Sequence, residues 1–128
     1  MNRKILIIDD CVPILNSLSI LLEMHHYEVE TAQDLACLLD DNIALPDILL
    51  SDYRLSGTDG SNILSLLKNN ERLKNIPFIL MSGDIDIEKI SIFLGVTNYI
   101  AKPFNVGDLL NKIETCILEF GQKDMKKN

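Results

Sequence analysis

The sequence predicts an α/β fold in which helices cover both faces of a parallel β-sheet. Short apolar runs, almost unbroken by polar residues, alternate along the chain with segments of helical periodicity. Unbroken apolarity over so few residues is typical of strands buried on both faces of a parallel sheet. Alternation of strands and helices implies right-handed crossover connections between the strands. The length of 128 residues corresponds to a single domain.

Five strands are expected. The strongest candidates are the apolar runs at residues 4–9, 47–52 and 77–82. Residues 27–31 and 98–101 are less apolar, so we expect them to flank the sheet.

A helical segment follows each strand. Pro13 suits the first turn of the first helix. Gly95 and Gly121 are expected to end the fourth and fifth helices. Asn105 is expected to cap the start of the fifth helix, with Asp108 three residues on. The apolar stripes are, in chain order, Ile14, Leu15, Leu18, Leu21 and Leu22; Leu35, Leu38 and Leu39; Ile63, Leu64 and Leu67; Ile87, Ile90, Phe93 and Leu94; and Val106, Leu109, Leu110, Ile113, Ile117 and Phe120.

The composition argues against several classes of protein. A net charge of −7 at pH 7 opposes binding to nucleic-acid phosphates or to anionic lipid. Three widely spaced cysteines form neither a disulfide framework nor a zinc site. The first apolar run is too short for a signal peptide, and no stretch reaches membrane-spanning length. We therefore expect a cytoplasmic protein without a nucleic-acid partner or membrane insertion.

Polar side chains gather at the carboxyl ends of four predicted strands. Asp9 and Asp10 end the first strand, Asp52 the third and Ser82 the fourth, and Lys102 follows the fifth. Ligands of open α/β sheets bind beyond these strand ends, so we expect the five side chains to share one crevice. Carboxylates that lie close together repel one another, and Mg²⁺ is a cation that carboxylate oxygens bind well. With the ammonium and the hydroxyl, these groups can stabilise a transferring phosphoryl group, and a carboxylate can be the nucleophile.

Four motifs carry these residues: Ile8-Asp9-Asp10, the run from Asp47 through Asp52 to Asp59-Gly60, Met81-Ser82-Gly83, and the run from Asn98-Tyr99 to Lys102-Pro103-Phe104. As a set they resemble the motifs of response-regulator receiver domains of two-component signalling. The resemblance spans residues 4 to about 120. It implies a five-stranded parallel sheet of order 2-1-3-4-5, in a flavodoxin-like doubly wound (βα)5 fold.

The resemblance implies that Asp52 accepts a phosphoryl group from a histidine kinase or a histidine phosphotransfer protein. Asp10, Asp52 and the backbone carbonyl of Arg54 would bind Mg²⁺, and Asp9 would act mainly through a bound water. These roles are carried over from the family, position by position.

The resemblance also implies a switch. Ser82 would bond a phosphoryl oxygen, and Tyr99 stands at the family's aromatic switch position. Lys102 would pair with Asp52 or with its phosphoryl group, and Pro103 would follow a cis peptide bond.

On this interpretation residues 1–121 form the receiver domain and residues 122–128 form a polar tail. Without a fused output domain, we expect a stand-alone response regulator that acts by phosphorelay or by docking a downstream protein. The docking face would combine the fourth helix, the fifth strand and the fifth helix. The protein would catalyse only its own phosphorylation and slow dephosphorylation, and so would not be an enzyme in the usual sense.

The sequence departs from the family pattern at a few positions. Leu55 and Ser56 stand where the family often has Met-Pro, and His26 stands where it often has glycine. From Ser82 to Lys102 the chain advances only 20 positions, so we expect a trimmed fourth helix or leading loop.

Two further residues are expected at the mouth of the crevice. Arg54 and Asp84 each lie two positions beyond a site residue, Asp52 and Ser82 respectively. We therefore expect their side chains to face each other across the crevice.

Two other functions remain open. One is a phosphoaspartyl-type hydrolase, which also joins a nucleophilic aspartate, a hydroxyl, a lysine and Mg²⁺-binding acids. Such enzymes place the nucleophile after the first strand with a second acid two residues on, whereas position 11 here is Cys11. The other is a phosphorylation-independent adaptor, against which the complete acidic set, Ser82 and Lys102 argue.

Overall fold

The structure is a computed structural model, and it describes residues 3–40, 42, 44–55 and 58–126, with the side chains of 58–61 and 120–126 outside the description. Its main sheet has five strands, and every neighbouring pair is parallel. The strands are β1 (Lys4–Ile8), β2 (Glu28–Ala32), β3 (Ile48–Asp52), β4 (Phe78–Ser82) and β5 (Tyr99–Ala101). Their spatial order is β2-β1-β3-β4-β5, which confirms the predicted fold class and strand order.

Helices cover both faces of this sheet. The α-helices are α1 (Val12–Met24), α2 (Gly60–Lys68), α3 (Ile87–Leu94) and α4 (Val106–Lys126), and a 3₁₀ helix spans Leu35–Leu39. With eight residues, α3 is short, in line with the expected trimming of this segment. Within the described ranges, none of the helices combines the length and apolarity needed to cross a membrane.

Successive residues of the central strands point to opposite faces of the sheet. In β1, Ile5 and Ile7 pack in a core with residues of α1 and α4. Leu6 and Ile8 pack in a second core with residues of α2, α3 and the 3₁₀ helix. Because both faces are covered, the strand must be apolar at every position, which explains the unbroken runs in the sequence.

The second predicted helix is a 3₁₀ helix rather than an α-helix. In a 3₁₀ helix, positions three apart lie on the same side. Leu35 and Leu38 therefore both contact the core, whereas Leu39, expected in the same stripe, is 60% exposed.

The structure corrects one core residue of the fourth predicted helix. Phe93 was expected to face the core and is instead 89% exposed. Ile87 and Ser91 are the buried positions of α3, one helical turn apart. Ser91 is polar although it is buried, so the hydrophobicity pattern did not mark it as a core position. The pattern therefore placed the buried side of the helix at Phe93 instead.

The predicted helix boundaries are confirmed at most positions. Pro13 lies in the first turn of α1, Gly95 ends α3 with a φ of 77°, and the Asn105 Oδ1 accepts the amide of Asp108 at 2.7 Å. Gly121 does not end the last helix, because α4 continues to Lys126. Glycine lowers helix stability by only about 1 kcal/mol, so a glycine inside a long helix can be tolerated.

Directly after β3 the chain forms a feature that the sequence did not predict. Arg54–Leu55 and Thr58–Asp59 pair as a short antiparallel ribbon outside the main sheet. Leu55 packs into the core on the α2 side. Strands of two residues are too short to show a periodicity in the sequence.

Candidate functional site

Lys102 joins two of the predicted carboxylates. Its Nζ lies 2.9 Å from Asp9 Oδ2 and 2.8 Å from Asp52 Oδ1. The parallel sheet brings Asp9 and Asp52 close together, because β1 and β3 are neighbours and both end at the same edge. A ladder bond from the Lys102 amide to the Ser82 carbonyl, at 2.7 Å, fixes the start of the lysine side chain at that edge.

The second oxygen of each carboxylate accepts a backbone amide. Asp9 Oδ1 accepts from Cys11 N at 3.0 Å, and Asp52 Oδ2 accepts from Arg54 N at 3.1 Å. Asp9 is only 2% exposed, whereas Asp10 is exposed to solvent at the same strand end. The amides orient both carboxylates toward Lys102.

The Lys102 ammonium is stabilised by these contacts. Burial alone would lower the pKa of Lys102, but its hydrogen bonds to Asp52 and Asp9 outweigh burial and raise the pKa above its usual value. The ammonium is therefore fully protonated at neutral pH and supplies a fixed positive charge beside Asp52.

Ser82 ends β4 at the same edge and is buried. Its Oγ accepts the amide of Asp84 at 2.9 Å. A serine hydroxyl has one hydrogen to donate in addition to the bonds that it accepts. Ser82 is thus brought to the site by its strand, with its oxygen already fixed by the loop that follows.

Arg54 and Asp84 meet across the mouth of the crevice, as expected. The Nη2 of Arg54 lies 3.1 Å from Asp84 Oδ2. The Asp86 amide and the Arg54 guanidinium hold the pKa of Asp84 below its usual range. Arg54 also lies over the ring of Tyr53, 5.5 Å from its centroid.

Tyr99 lies at the start of β5 and is half-buried against the core on the α2 side. The Lys112 Nζ of α4 lies 5.7 Å from the centroid of its ring, within the range of a cation–π contact. The ring thus has protein on one side and an α4 ammonium on another.

The structure therefore brings together Asp9, Asp52 and Lys102, with Ser82 at the neighbouring strand end. The predicted pair of Lys102 and Asp52 is confirmed. The Lys102-Pro103 peptide bond is cis, as the resemblance implied.

Sequence reasoning missed two contacts of Asp9. One is the ion pair with Lys102, and the other is the hydrogen bond that Asp9 accepts from the amide of Cys11. Both depend on how side chains turn at the strand ends. The sequence carries no signal for these torsions, although the strand-end pattern did place the residues at one edge.

The donor set is chemically suited to Mg²⁺. Carboxylate and backbone carbonyl oxygens are its preferred protein ligands, and it usually keeps several waters while binding one or two carboxylates. Across the described residues, no three His, Cys, Asp or Glu side chains are grouped to hold a metal ion. A largely hydrated ion does not require such a group, and the oxygens of Asp10, Asp52 and the Arg54 carbonyl are of the chemical kind that Mg²⁺ binds.

Comparison with known proteins gives consistent matches over nearly the whole chain. A family model described as the response regulator receiver domain matches residues 5–114. The phosphate regulon transcriptional regulatory protein PhoB of Pseudomonas aeruginosa is 32% identical over 130 residues, covering 97% of this chain and 56% of that protein. The nisin biosynthesis regulatory protein NisR of Lactococcus lactis is 35% identical over 120 residues, covering 91% of this chain and 51% of that protein. The chain thus spans about half the length of the curated relatives it matches.

Solved structures give the same picture. A CheY-like response regulator receiver domain protein from Methanospirillum hungatei has a TM-score of 0.81 at 28% identity, covering 96% of this chain and 99% of that one. The chemotaxis response regulator CheY4 of Vibrio cholerae has a TM-score of 0.79 at 27% identity, covering 91% of this chain and 99% of that one.

Proposed function

This chain belongs to the response regulator receiver domain family, and from that premise we propose that it accepts a phosphoryl group on Asp52. The donor is a histidine kinase or a histidine phosphotransfer protein. The observation that carries the proposal is the Lys102 ammonium, which lies between the carboxylates of Asp9 and Asp52 at the carboxyl edge of the sheet. A nucleophilic carboxylate beside a fixed cation is the arrangement that phosphoryl transfer to an aspartate needs.

These contacts support a direct transfer of the phosphoryl group to Asp52. A carboxylate oxygen of Asp52 attacks the phosphorus, the bond from phosphorus to the donor nitrogen breaks, and its electron pair stays with the imidazole. Lys102 offsets the charge on the phosphoryl oxygens throughout. Asp10, Asp52 and the carbonyl of Arg54 would hold Mg²⁺, whose charge adds to that of Lys102, and Asp9 would contact it through a water.

The phosphoryl group would then change partner binding through Ser82 and Tyr99. The Ser82 hydroxyl hydrogen would turn to a phosphoryl oxygen, and Tyr99 would move inward into the space that Ser82 leaves. Such a shift requires that the group bind one conformation better than the other. The downstream partner would dock on the face formed by α3, β5 and α4, because the movement of Tyr99 would alter that face.

An apolar groove supports docking of the phosphodonor by a helix. It has a volume of about 520 Å³ between α1 and the segment after β5. Its lining includes Ile14, Leu21, Pro103 and Phe104, and it reaches Lys102 itself. A helix seated there would carry its phosphohistidine close to Asp52. The test is to measure phosphotransfer from each kinase of the source organism onto the wild type and onto Ile14→Lys. For the true donor, the rate of phosphotransfer should be lower onto Ile14→Lys.

Several finer points stay predictions. The chain spans only about half the length of PhoB, which is a transcriptional regulatory protein, and of NisR, so the absence of nucleic-acid contacts is proposed for this receiver domain alone. The cytoplasmic location is likewise a prediction. We also propose that the protein turns over no separate substrate and catalyses only its own phosphorylation and slow dephosphorylation.

The test uses a small phosphodonor such as acetyl phosphate with Mg²⁺, followed by intact-mass measurement. The wild type should gain one phosphoryl group, and Asp52→Asn should gain none. Asp47→Asn is the matched control, because Asp47 precedes the opposite end of the same strand. Phosphorylation of Asp52→Asn at the wild-type rate would refute the proposal, and steady turnover of phosphate esters would favour the hydrolase instead.

A further inference from the structure

Tyr27 connects the end of α1 to the middle of α4. Its hydroxyl donates to Glu114 Oε1 at 2.7 Å, across 87 positions of the sequence. The ring is half-buried and packs against the core that α1 and α4 share. Burial and the hydrogen bond to Glu114 raise the pKa of Tyr27 to about 12. The hydroxyl therefore keeps its proton at neutral pH and is the donor of this bond.

The end of α1 fixes the position of Tyr27. His26 has a φ of 72°, in the left-handed region. The His26 amide donates to the Glu23 carbonyl at 3.0 Å, and the Tyr27 amide donates to a carbonyl one residue earlier, that of Leu22, at 3.2 Å. These two bonds form a Schellman motif, which ties the residues after a helix to its last turn. The side chain of Tyr27 is therefore attached rigidly to α1.

The apolar groove between α1 and α4 runs toward this residue. On α1 its lining includes Pro13, Ser17 and Leu21, which are spaced four residues apart and so form one ridge of the helix. Both helices start at the carboxyl edge of the sheet and run toward the opposite edge, where β2 begins directly after Tyr27. The groove therefore leads from Lys102 at the site toward the hydroxyl of Tyr27.

Glu114 belongs to the α4 wall of the groove. Val106 lines the groove, and Val106, Leu110 and Glu114 are also spaced four residues apart, on one ridge of α4. Leu110 is partly buried and packs, as Ile14 of α1 does, against the shared core. The hydrogen bond of Glu114 therefore joins the α4 wall of the groove to the end of α1.

We infer that the hydrogen bond between Tyr27 and Glu114 sets the width of the groove, and that both are positioning residues for the protein that donates the phosphoryl group. The inference rests on the proposed docking of that donor in the groove. A donor helix must fit between α1 and α4, and binding is tighter when the site already has the bound shape. Without the bond, α4 can shift relative to α1, and the donor must restore the spacing as it binds.

A small phosphodonor makes no use of the groove. Acetyl phosphate reaches Asp52 from solvent, so its reaction does not depend on the spacing of α1 and α4. Loss of the hydrogen bond should therefore weaken docking of a protein donor and leave the chemistry at Asp52 unchanged. This difference distinguishes positioning of the donor from damage to the phosphorylation site.

The strength of one hydrogen bond limits the size of the effect. The net contribution of such a bond corresponds to about a tenfold change in an equilibrium constant. Both helices also pack on the sheet, which retains part of the spacing. We therefore expect the KM for transfer from a protein donor to rise about two- to fivefold, with kcat unchanged.

The experiment uses the kinase of the source organism that phosphorylates the wild type fastest, held limiting while the concentration of this receiver is varied. Tyr27→Phe and Glu114→Ala should each raise KM, and the double variant should raise it no further. Glu114→Gln should stay near the wild type, because its amide oxygen still accepts from the tyrosine. All variants should react with acetyl phosphate and Mg²⁺ at the wild-type rate.

Glu119→Ala is the matched control. It removes another side-chain hydrogen bond of α4, in which Asn98 Nδ2 donates to Glu119 Oε2 at 3.4 Å, and this bond does not involve α1. Its KM should equal that of the wild type. The melting temperature of each variant, measured in parallel, should lie well above the assay temperature, so that KM reports on folded protein.

Each other outcome contradicts a defined part. An unchanged KM in Tyr27→Phe and Glu114→Ala, or an equal rise in Glu119→Ala, would overturn the inference. A parallel fall in the rate with acetyl phosphate would overturn it too, because the site itself would then be damaged. A wild type that reacts with acetyl phosphate but with no kinase would overturn the docking and the inference together. A wild type that gains no phosphoryl group from either would overturn the proposed function itself.

Discussion

Lys102 neutralises two carboxylates at once, and one of them is almost fully buried. Asp9 is 2% exposed, and the side chain of Lys102 is 22% exposed. A buried charge without a counter-ion is costly, because it has lost its contact with water. The residue proposed to assist chemistry therefore also stabilises the fold.

Replacing Lys102 tests this dual role. Lys102→Met keeps the volume of the side chain but leaves Asp9 without its cation, so the free energy of unfolding should fall by about 1–3 kcal/mol, a range reduced for the partial exposure of the lysine. Urea denaturation at pH 7 measures it. In an Asp9→Asn background, the same change should cost less, because no buried charge remains at position 9.

Lys74→Met serves as the control, since Lys74 belongs to an exposed ion pair with Glu71. Its effect should stay below about 0.5 kcal/mol. Equal losses from Lys102→Met and Lys74→Met would show that the contact with Asp9 adds nothing to stability.

At the scale of single residues, the sequence predicted the identity of the site better than its contacts. The rule that ligands bind at carboxyl strand ends placed Asp9, Asp52, Ser82 and Lys102 at one edge, and the structure agrees. The pairing of Lys102 with Asp9 escaped prediction, because it depends on side-chain torsions and not on chain position.

At the scale of elements, the ends of helices depend on a few local contacts. The Asn105 Oδ1 accepts the amide of Asp108 at 2.7 Å and so satisfies one of the amides that the first turn of α4 leaves without a helical partner. This cap lies only three positions beyond Lys102, so it also anchors the loop that carries the lysine.

The cap makes a measurable contribution to stability. Asn105→Ala should lower the free energy of unfolding by about 1 kcal/mol, because the Asp108 amide loses its acceptor. Asn105→Ser should retain most of the stability, since serine caps helices almost as well. Chemical denaturation of both variants measures the difference, and an Asn105→Ala protein as stable as wild type would contradict the role of the cap.

Elements were predictable where periodicity dominates and less so where it is weak. The five strands were located to within one residue at each end, and continuous apolarity made the location clear in β1, β3 and β4. The 3₁₀ helix was mistaken for an α-helix because a segment of five residues is too short to distinguish the two periods. The exposed Phe93 escaped because hydrophobicity alone cannot say which side of a short helix is covered.

At the scale of the molecule, the site is built from the ends of several strands and so depends on the whole sheet. Asp9 follows β1, Asp52 ends β3 and Lys102 follows β5. Anything that binds these ends together should therefore stabilise the complete fold. Mg²⁺ is the expected example, since it would bind the folded chain and not the unfolded one.

Thermal unfolding with and without Mg²⁺ measures this linkage. A Mg²⁺ concentration of a hundred times the Kd for Mg²⁺ should raise the free energy of unfolding by about 2.7 kcal/mol, and a chelator should reverse this increase. Asp10→Asn should lose most of the gain, and Glu23→Gln, which changes an exposed acid on α1, should keep it. An equal gain in Asp10→Asn would point to a general effect of ions rather than to this site.

The central position of β3 has a consequence for the protein while it is being made. This strand pairs with β1 on one side and with β4 on the other, and its first four residues are fully buried. On the ribosome, β1 emerges before β3 but β4 emerges after it. A nascent chain that has not yet reached Phe78 therefore carries an open, apolar strand edge, the kind of surface that chaperones bind and that joins unfinished chains together.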